Sequence, residues 1–524
     1  MTEAELPAAS DVVVVGGGHN GLVAATLLAR HGLSVTVLER DTVLGGAART
    51  ERPFPKVPGL AQSTGSYLLG LMPPELERLL GLDLPLLRRD PHYFLPTTSD
   101  RYLVMGSDRD ETRRQFAAFF TDADRDADDR LGAELAQLRE DLAPAWLAEP
   151  GSVEETAERF IRPALRQTFV DLVTGSVADY LDRFGFASEL LVAMYAVTDG
   201  LSGLHAGPDT PGSGHNFLVH NMCRLPGADG TWMIVRGGMG AVAAAIARQA
   251  VAAGATLHPS CPVVSIDTTG GEVRAVTLAD GRSLATKVVL AGCDPFTLAD
   301  LAPLPPVLTE RLAGLRRRGT TLKVNLALRD LPEFGCLPAG APSPFGSTIH
   351  LLPQEHPMDA VRAMWADVEA GRLPDFPTIE WYLHTTADPS LSDPAGHHSS
   401  ALFVQSVPYD VAGSSWEVEL PSYVDHLLGI CDRFAPGTSA LVADVFPLPP
   451  PAIEAHFGIR HGHIHHVDNA FALDARMPYR TGVDGLYAAS AGCHPAGSVI
   501  GAAGHNAARC ALDDLGIAWS PEGT

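Results

Sequence analysis

The chain has 524 residues, 46% hydrophobic and 19% charged, with 38 Lys and Arg against 62 Asp and Glu for a net charge of −24. That composition is globular, long enough for several domains, and argues against a mainly disordered chain. So acidic a chain repels phosphates, which argues against non-specific nucleic-acid binding and broad docking on anionic lipid; a local apolar patch could still make peripheral membrane contact.

Met1 to Ser10 is acidic and lacks the basic start and apolar core of a secretory signal. Asp11 to Val15 is a β-branched run, the pattern of a strand buried on both faces. It runs into Gly16, Gly18 and Gly21 at Gly-x-Gly-x-x-Gly spacing. Leu22, Ala25, Leu28 and Ala29 then recur at helical period, and Gly32 stops the helix. A second strand, Ser34 to Leu38, ends on Glu39 and completes a β-α-β unit of about 30 residues. Ser107 to Leu147 is acidic and helical, which reads as solvated helix faces, and helical character continues over 150–205. The Gly/Pro-rich stretch Gly207 to Gly214 breaks it.

A second α/β segment begins near Trp232, where Gly237, Gly238 and Gly240 open an Ala-rich helix ending at Ala253. Strands are expected at Thr256-Leu257, Val263 to Ile266, Val273 to Leu278 and, after an Asp280-Gly281 turn, Ser283 to Leu290. Pro303 to Pro306 marks a crossing to another domain. Strand-like pieces at Thr321 to Ala327 and Ala401 to Val407, and a helix from Tyr423 to Phe434, follow. The last unit is a strand, Gly485 to Ala489, a Gly-rich turn and a helix from Gly501 to Leu515. No run reaches the ~18 apolar residues of a membrane-spanning helix. Seven dispersed cysteines without a Cys-x-x-Cys pair read as reduced thiols in a cytoplasmic protein, and exclude a thioredoxin-like dithiol.

The glycines carry the first chemical reading. The first permits the tight turn, the second lets backbone approach a pyrophosphate, and the third lets helix and strand pack closely. The helix start offers unpaired amides and a positive dipole end to the phosphates. Glu39, eighteen residues after Gly21, is placed to accept hydrogen bonds from ribose hydroxyls and disfavours a 2′-phosphate. The fingerprint alone does not separate NAD from FAD. A second glycine pair, Gly45-Gly46, follows closely and resembles the glutathione-reductase type of FAD protein.

Four stretches resemble the phytoene desaturase superfamily: 16–25, Thr64 to Tyr67, Gly237 to Gly240, and Gly485 through His494-Pro495 to Gly501. Within it the chain is most similar to the pyridine nucleotide-disulphide oxidoreductase domain-containing group and the bacterial carotene ketolases. The resemblance implies an α/β fold in which a mixed α+β substrate domain is inserted into a Rossmann-like FAD-binding domain. The expected segments are 8–106, 231–305 and 479–518 for FAD, 107–230 for a helical lid and 306–478 for a mixed substrate sheet. It implies that Gly16, Gly18 and Gly21 hold the pyrophosphate of a non-covalent FAD and Glu39 its ribose. Gly45, Gly46 and Arg49 would line the ribityl-phosphate region, Gly65 and Ser66 the flavin ring, and Val263 the adenine. Gly492 begins the C-terminal contact, and Val499, Ile500 and Gly501 would present amides to the flavin's pyrimidine edge.

The chain departs from the relatives at Ala47, where amine oxidases carry arginine, at Ala491 to His494, which lacks an acid, and at Gln62 to Gly65, which lacks an aspartate. These changes weaken an amine-oxidation reading. His463 and His465 would share a face if their segment were a strand, enough for two metal ligands without an obvious third, or would line the substrate cavity or face solvent. His494 orients substrate, stabilises the negative charge of a reduced flavin, or is a hydrogen-bonded structural residue, and Cys493 reads as a small buried residue. The expected activity is removal of hydride from an apolar substrate, such as an isoprenoid or secondary metabolite, by FAD. Oxygen, a quinone or another carrier would reoxidise the flavin. No catalytic residue is named, because this chemistry need not use one. A carotene-ketolase-like oxygenation and a non-catalytic flavin-binding role are the alternatives.

Overall fold

The computed structural model describes residues 5–228, 230–341 and 343–521; Met1 to Ala4, part of the stretch read against a secretory signal, lie outside them. Its first organising element is a five-stranded parallel sheet. Across the sheet the strands run Leu486–Ala488, Val288–Ala291, Val12–Val15, Val35–Leu38 and Thr256–His258. The β-branched Val12–Val15 is central and wholly buried, as its lack of alternation requires. Helix His19–Arg30 lies between this sheet and helices Gly240–Ala252 and Ala502–Asp514, and buries Asn20 through Ala29. Two glycines permit that packing. A Cβ on Gly21 would stand 2.2 Å from the Gly16 carbonyl oxygen, and one on Gly504 would stand 2.0 Å from that of Asn20.

The single strand expected from Ser283 to Leu290 is two. Ser283–Ala285 closes a three-stranded antiparallel ladder with Ala275–Leu278 and Val263–Asp267, whereas Val288–Ala291 enters the parallel sheet. The chain changes sheets at Thr286, whose hydroxyl donates to the carbonyls of Asp11 and Val288.

The second organising element is a seven-stranded sheet. Its order is Val442–Leu448, Leu322–Leu328, His398–Val404, Ile379–Leu383, Thr348–Leu351, Tyr93–Pro96 and Tyr102–Met105. All neighbours are antiparallel except Thr348–Leu351 with Tyr93–Pro96. Residues 93–105, assigned by sequence to the first FAD-binding segment, therefore pair with this sheet instead. Strand alternation divides its two faces. Leu322, Val324, Leu326, Ile379, Trp381, Leu402 and Val404 pack against helix Trp416–Phe434. Lys323, Asn325, Glu380, Tyr382, Ala401 and Phe403 take the alternate positions and face the other way.

Helices Arg109–Phe119, Asp122–Leu142, Val153–Phe160, Arg166–Thr174, Val177–Asp182, Glu189–Tyr195 and Ser213–His220 form the helical region. Reciprocal caps at Thr121/Asp124 and Ser152/Glu155 start two of them. Asp122–Leu142 buries Ala127, Leu131, Leu135, Leu138 and Leu142 along one stripe, and Asp122, Asp126, Asp129 and Glu140 face solvent as read from the sequence. Asp124 does not: it is buried and accepts from the amides of Ala187 and Ser188. Glu189–Tyr195 passes into a π-helical turn, Ala196–Leu201. Among the described residues no helix is long and apolar enough to cross a membrane.

Two predictions follow from this packing. Gly504→Ala forces the Asn20 carbonyl to move and lowers stability by about 3 kcal/mol; an unchanged melting temperature would contradict the helix contact. The second concerns acid. Burial depresses His19, His215, His220, His384 and His494 from 6.5 to about 4, and His350, His465 and His466 to about 3. With folded values below unfolded ones, the unfolded chain binds more protons between about pH 4 and 6.5. Their contribution is complete above that window and is lost as pH falls through it. Asp199 and Glu380, raised by burial to about 7, act in the opposite sense but are outnumbered. The melting temperature at pH 5 should lie well below that at pH 7, measured calorimetrically at constant ionic strength.

Candidate active site

A cavity runs from the first glycine turn to the inner face of the seven-stranded sheet. Of the residues named from sequence, Gly16, Gly18, Glu39, Gly45, Gly46, Gly65, Ser66, Val263 and Val499 line it. The others stand behind its wall. Gly21 is packed on Gly16, and Gly492 on the Pro295 ring. Arg49 turns away to donate to Asp41 at 2.7 Å and to the His456 carbonyl at 2.9 Å, over the Phe457 ring. Ile500 is buried in the helical core with its amide on the Ser498 carbonyl, and Gly501 caps helix Ala502–Asp514 at φ 83°.

The outer end fits an extended dinucleotide. Gly18 caps helix His19–Arg30 with no side-chain acceptor on the first-turn amides, and a Cβ there would meet no protein atom within 4 Å. The space beside Gly18 is the cavity itself, at the positive end of the helix dipole. Glu39 accepts from the amides of Gly17 at 2.7 Å and Asp41 at 2.9 Å, which holds its carboxylate at the cavity wall. His19 Nε2 and His466 Nδ1 are buried in the same wall without a hydrogen-bond partner, as polar groups facing a polar ligand would be.

The inner end carries residues that the sequence did not single out. Strand register places Lys323, Phe403 and Glu380 side by side across three strands. The Lys323 ammonium stands 3.4 Å from the Phe403 ring centre and 4.3 Å from that of Tyr67, and burial pulls its pKa down to about 7. Glu380 accepts from the Tyr382 hydroxyl and Gln405 Nε2. Asp199, in the π-helical turn, faces the same space beside Tyr93, Thr198, Ser202 and His220. A usable signal existed: Lys323 and Asn325 interrupt an apolar strand at alternate positions, and Glu380 and Tyr382 interrupt another.

The segment around His463 is a succession of turns, with His466 at φ 61°, so the strand alternation expected there does not apply. His463 and His465 are buried and His466 is half-buried. His463 Nε2 meets Asp468 at 3.0 Å and His465 Nε2 meets the Ser202 carbonyl at 2.9 Å, while His465 and His466 line the cavity. No group of three His, Cys, Asp or Glu among the described residues is arranged to hold a metal. His494 sits behind the wall with Nε2 on the Ala145 carbonyl, and Cys493 is buried.

Comparison with known proteins agrees with this architecture. The family model of flavin-containing amine oxidoreductases matches residues 21–371. Pyridine nucleotide-disulfide oxidoreductase domain-containing protein 2 of Mus musculus is 34% identical over 558 residues, covering 96% of this chain and 94% of the mouse protein. Hydroxyneurosporene desaturase of Cereibacter sphaeroides is 27% identical over 548 residues, covering 96% and 98%. An oxidoreductase structure from Methanosarcina mazei superposes with a TM-score of 0.62 at 16% identity, covering 96% and 99%, and shares the fold. The chain belongs to the flavin-containing amine oxidoreductase family, within its phytoene-desaturase-like branch, and is an FAD-dependent oxidoreductase.

Proposed function

We propose that the protein dehydrogenates a largely apolar small molecule that enters the inner half of the cavity. The observation that carries this reading is the continuity of one cavity from the phosphate turn to an inner wall built from Tyr67, Leu68, Trp232, Tyr382, Phe403 and Ile464. Bound FAD supplies a hydride acceptor; the protein supplies the binding, orientation and exclusion of water. Gly16, Gly18 and the uncapped start of helix His19–Arg30 would take the pyrophosphate, with Gly21 fixing the helix close behind them. Glu39 would take the adenosine ribose and the Val263 backbone the adenine. Gly45 and Gly46 would border the ribityl phosphate, with Arg49 bracing that segment from outside. Gly65, Ser66 and Val499 would border the ring, on a loop that Gly492, Ile500 and Gly501 hold in place. Oxygen, a quinone or another small carrier would take the electrons.

The purified protein should be yellow and release FAD on denaturation. Apolar candidates, isoprenoids first, should bleach it under anaerobic conditions. A colourless protein that takes up no FAD, or a loaded one that no apolar candidate reduces, would refute the reading. Gly18→Ala gives a sharper test of placement. Gly18 has φ −70° and ψ 168°, open to alanine, and the added methyl meets only the cavity. The apoprotein should therefore melt as the wild type does, while FAD affinity falls at least tenfold, about 1.4 kcal/mol. Unchanged FAD affinity would remove the pyrophosphate from this turn.

A further inference from the structure

We propose that the inner end of the cavity is a seat for a neutral hydroxyl on the otherwise apolar substrate, with Asp199 and Glu380 as its accepting groups. The inference rests on the dehydrogenase reading above and names the class of molecule that site would take.

Asp199 is 3% exposed, and its carboxylate is reached only by long bonds, 3.2 Å from Asn221 Nδ2 and 3.5 Å from the Tyr93 hydroxyl. The turn that carries it is fixed. Asn216 Nδ2 donates to the carbonyls of Asp199, Gly200 and Ser202 at 3.1 to 3.2 Å. Asn469 in turn joins Asn216 to both backbone groups of Gly497. Such π-helical turns often re-aim a side chain toward a functional site. Across the cavity, Glu380 is held by Tyr382 and Gln405 and faces inward from the sheet.

Lys323 lines this end of the cavity, and Arg89 lies behind the wall close enough to act on both acids. The Lys323 ammonium is 5% exposed and rests on ring faces, and among the described residues no carboxylate or carbonyl accepts from it. Arg89 donates to Thr348 Oγ1 at 2.6 Å and to the Trp232 carbonyl at 2.8 Å, leaving Nη2 buried and unpaired. Lys323, Arg89 and, from further back, Arg139 already offset the two acids, so a ligand ammonium finds no uncompensated carboxylate, and a ligand carboxylate would face two like charges in a water-poor site. A pure hydrocarbon would strip water from these groups and return no hydrogen bond. A hydroxyl donates to a carboxylate and accepts from the ammonium without changing the charge.

The test uses FAD-loaded protein and four probes with related isoprenoid chains: geraniol, geranylamine, geranic acid and the hydrocarbon 2,6-dimethyl-2,6-octadiene. Binding is read from perturbation of the visible flavin band under anaerobic conditions. Geraniol should bind about tenfold more tightly than each of the other three. Asp199→Leu should abolish or reverse the preference for geraniol over the hydrocarbon while FAD content is retained. If that variant does not fold, Glu380→Gln should weaken geraniol severalfold at unchanged FAD content. A protein without FAD would fail the dehydrogenase reading itself. A loaded protein that binds the four alike, prefers the amine or the acid, or binds none overturns the seat alone.

Discussion

The cavity depends on how closely one helix can lie on its neighbours. Gly16, Gly21 and Gly292 meet where helix His19–Arg30 leaves the parallel sheet, and Gly504 meets the Asn20 carbonyl from the far end of the chain. A side chain at Gly21 or Gly504 would push the helix outward by more than packed interiors absorb. Because none is there, the uncapped helix start points into the cavity and the Ser498–Val499 backbone lies in the same wall as Gly18. Segments hundreds of residues apart in sequence thus line one continuous cavity.

The seven-stranded sheet solves a different problem. Its outer face is covered by an amphipathic helix and is conventionally apolar, whereas its inner face places ionisable side chains in a water-poor space. Such groups need partners: Glu380 finds them in Tyr382 and Gln405, while Lys323 rests on ring faces, and elsewhere in the wall a polar network serves the same end. Arg476 shows how far this extends: it is buried and donates to the carbonyls of Val467, Asp468, Phe471, Ala491 and Cys493. These bonds tie the irregular backbone of 467–471 and 491–493 to the cavity wall without a regular strand. Rigidity here comes from side chains satisfying main-chain groups that secondary structure leaves unpaired.

The two ends of the cavity differed in how far sequence revealed them. The outer end was legible because its chemistry is local: Gly16 to Glu39 carries the strand, the turn, the helix start and the acid in one short unit. Gly45, Gly46, Gly65, Val263 and Val499 were reached through resemblance. That the Arg49 side chain turns from the cavity to Asp41 and Phe457 depends on tertiary contacts that its neighbours in sequence do not show. The inner end is non-local. Lys323, Phe403 and Glu380 become neighbours only through the register of three strands, and Asp199 faces them only because a helix gains a π-helical turn. The same limitation hid the pairing of Tyr93–Pro96 with Thr348–Leu351, and left the His463 segment open to a conditional strand reading that its turns do not meet.

This division of labour also bears on selectivity. An aromatic wall discriminates weakly, since adding or removing a methylene changes binding by only about 1–3 kcal/mol. Buried groups that require a hydrogen bond discriminate strongly, because a ligand lacking the matching group leaves them desolvated and unpaired. In this cavity Tyr67, Trp232 and Phe403 supply the permissive surface, and Asp199, Glu380 and Lys323 supply the exacting one. The network from Gly497 through Asn469 and Asn216 ties the Asp199 turn to the loop that borders the cofactor half. A substrate that satisfies the polar groups is therefore also held in a fixed relation to that loop, so recognition and orientation arise from the same contacts.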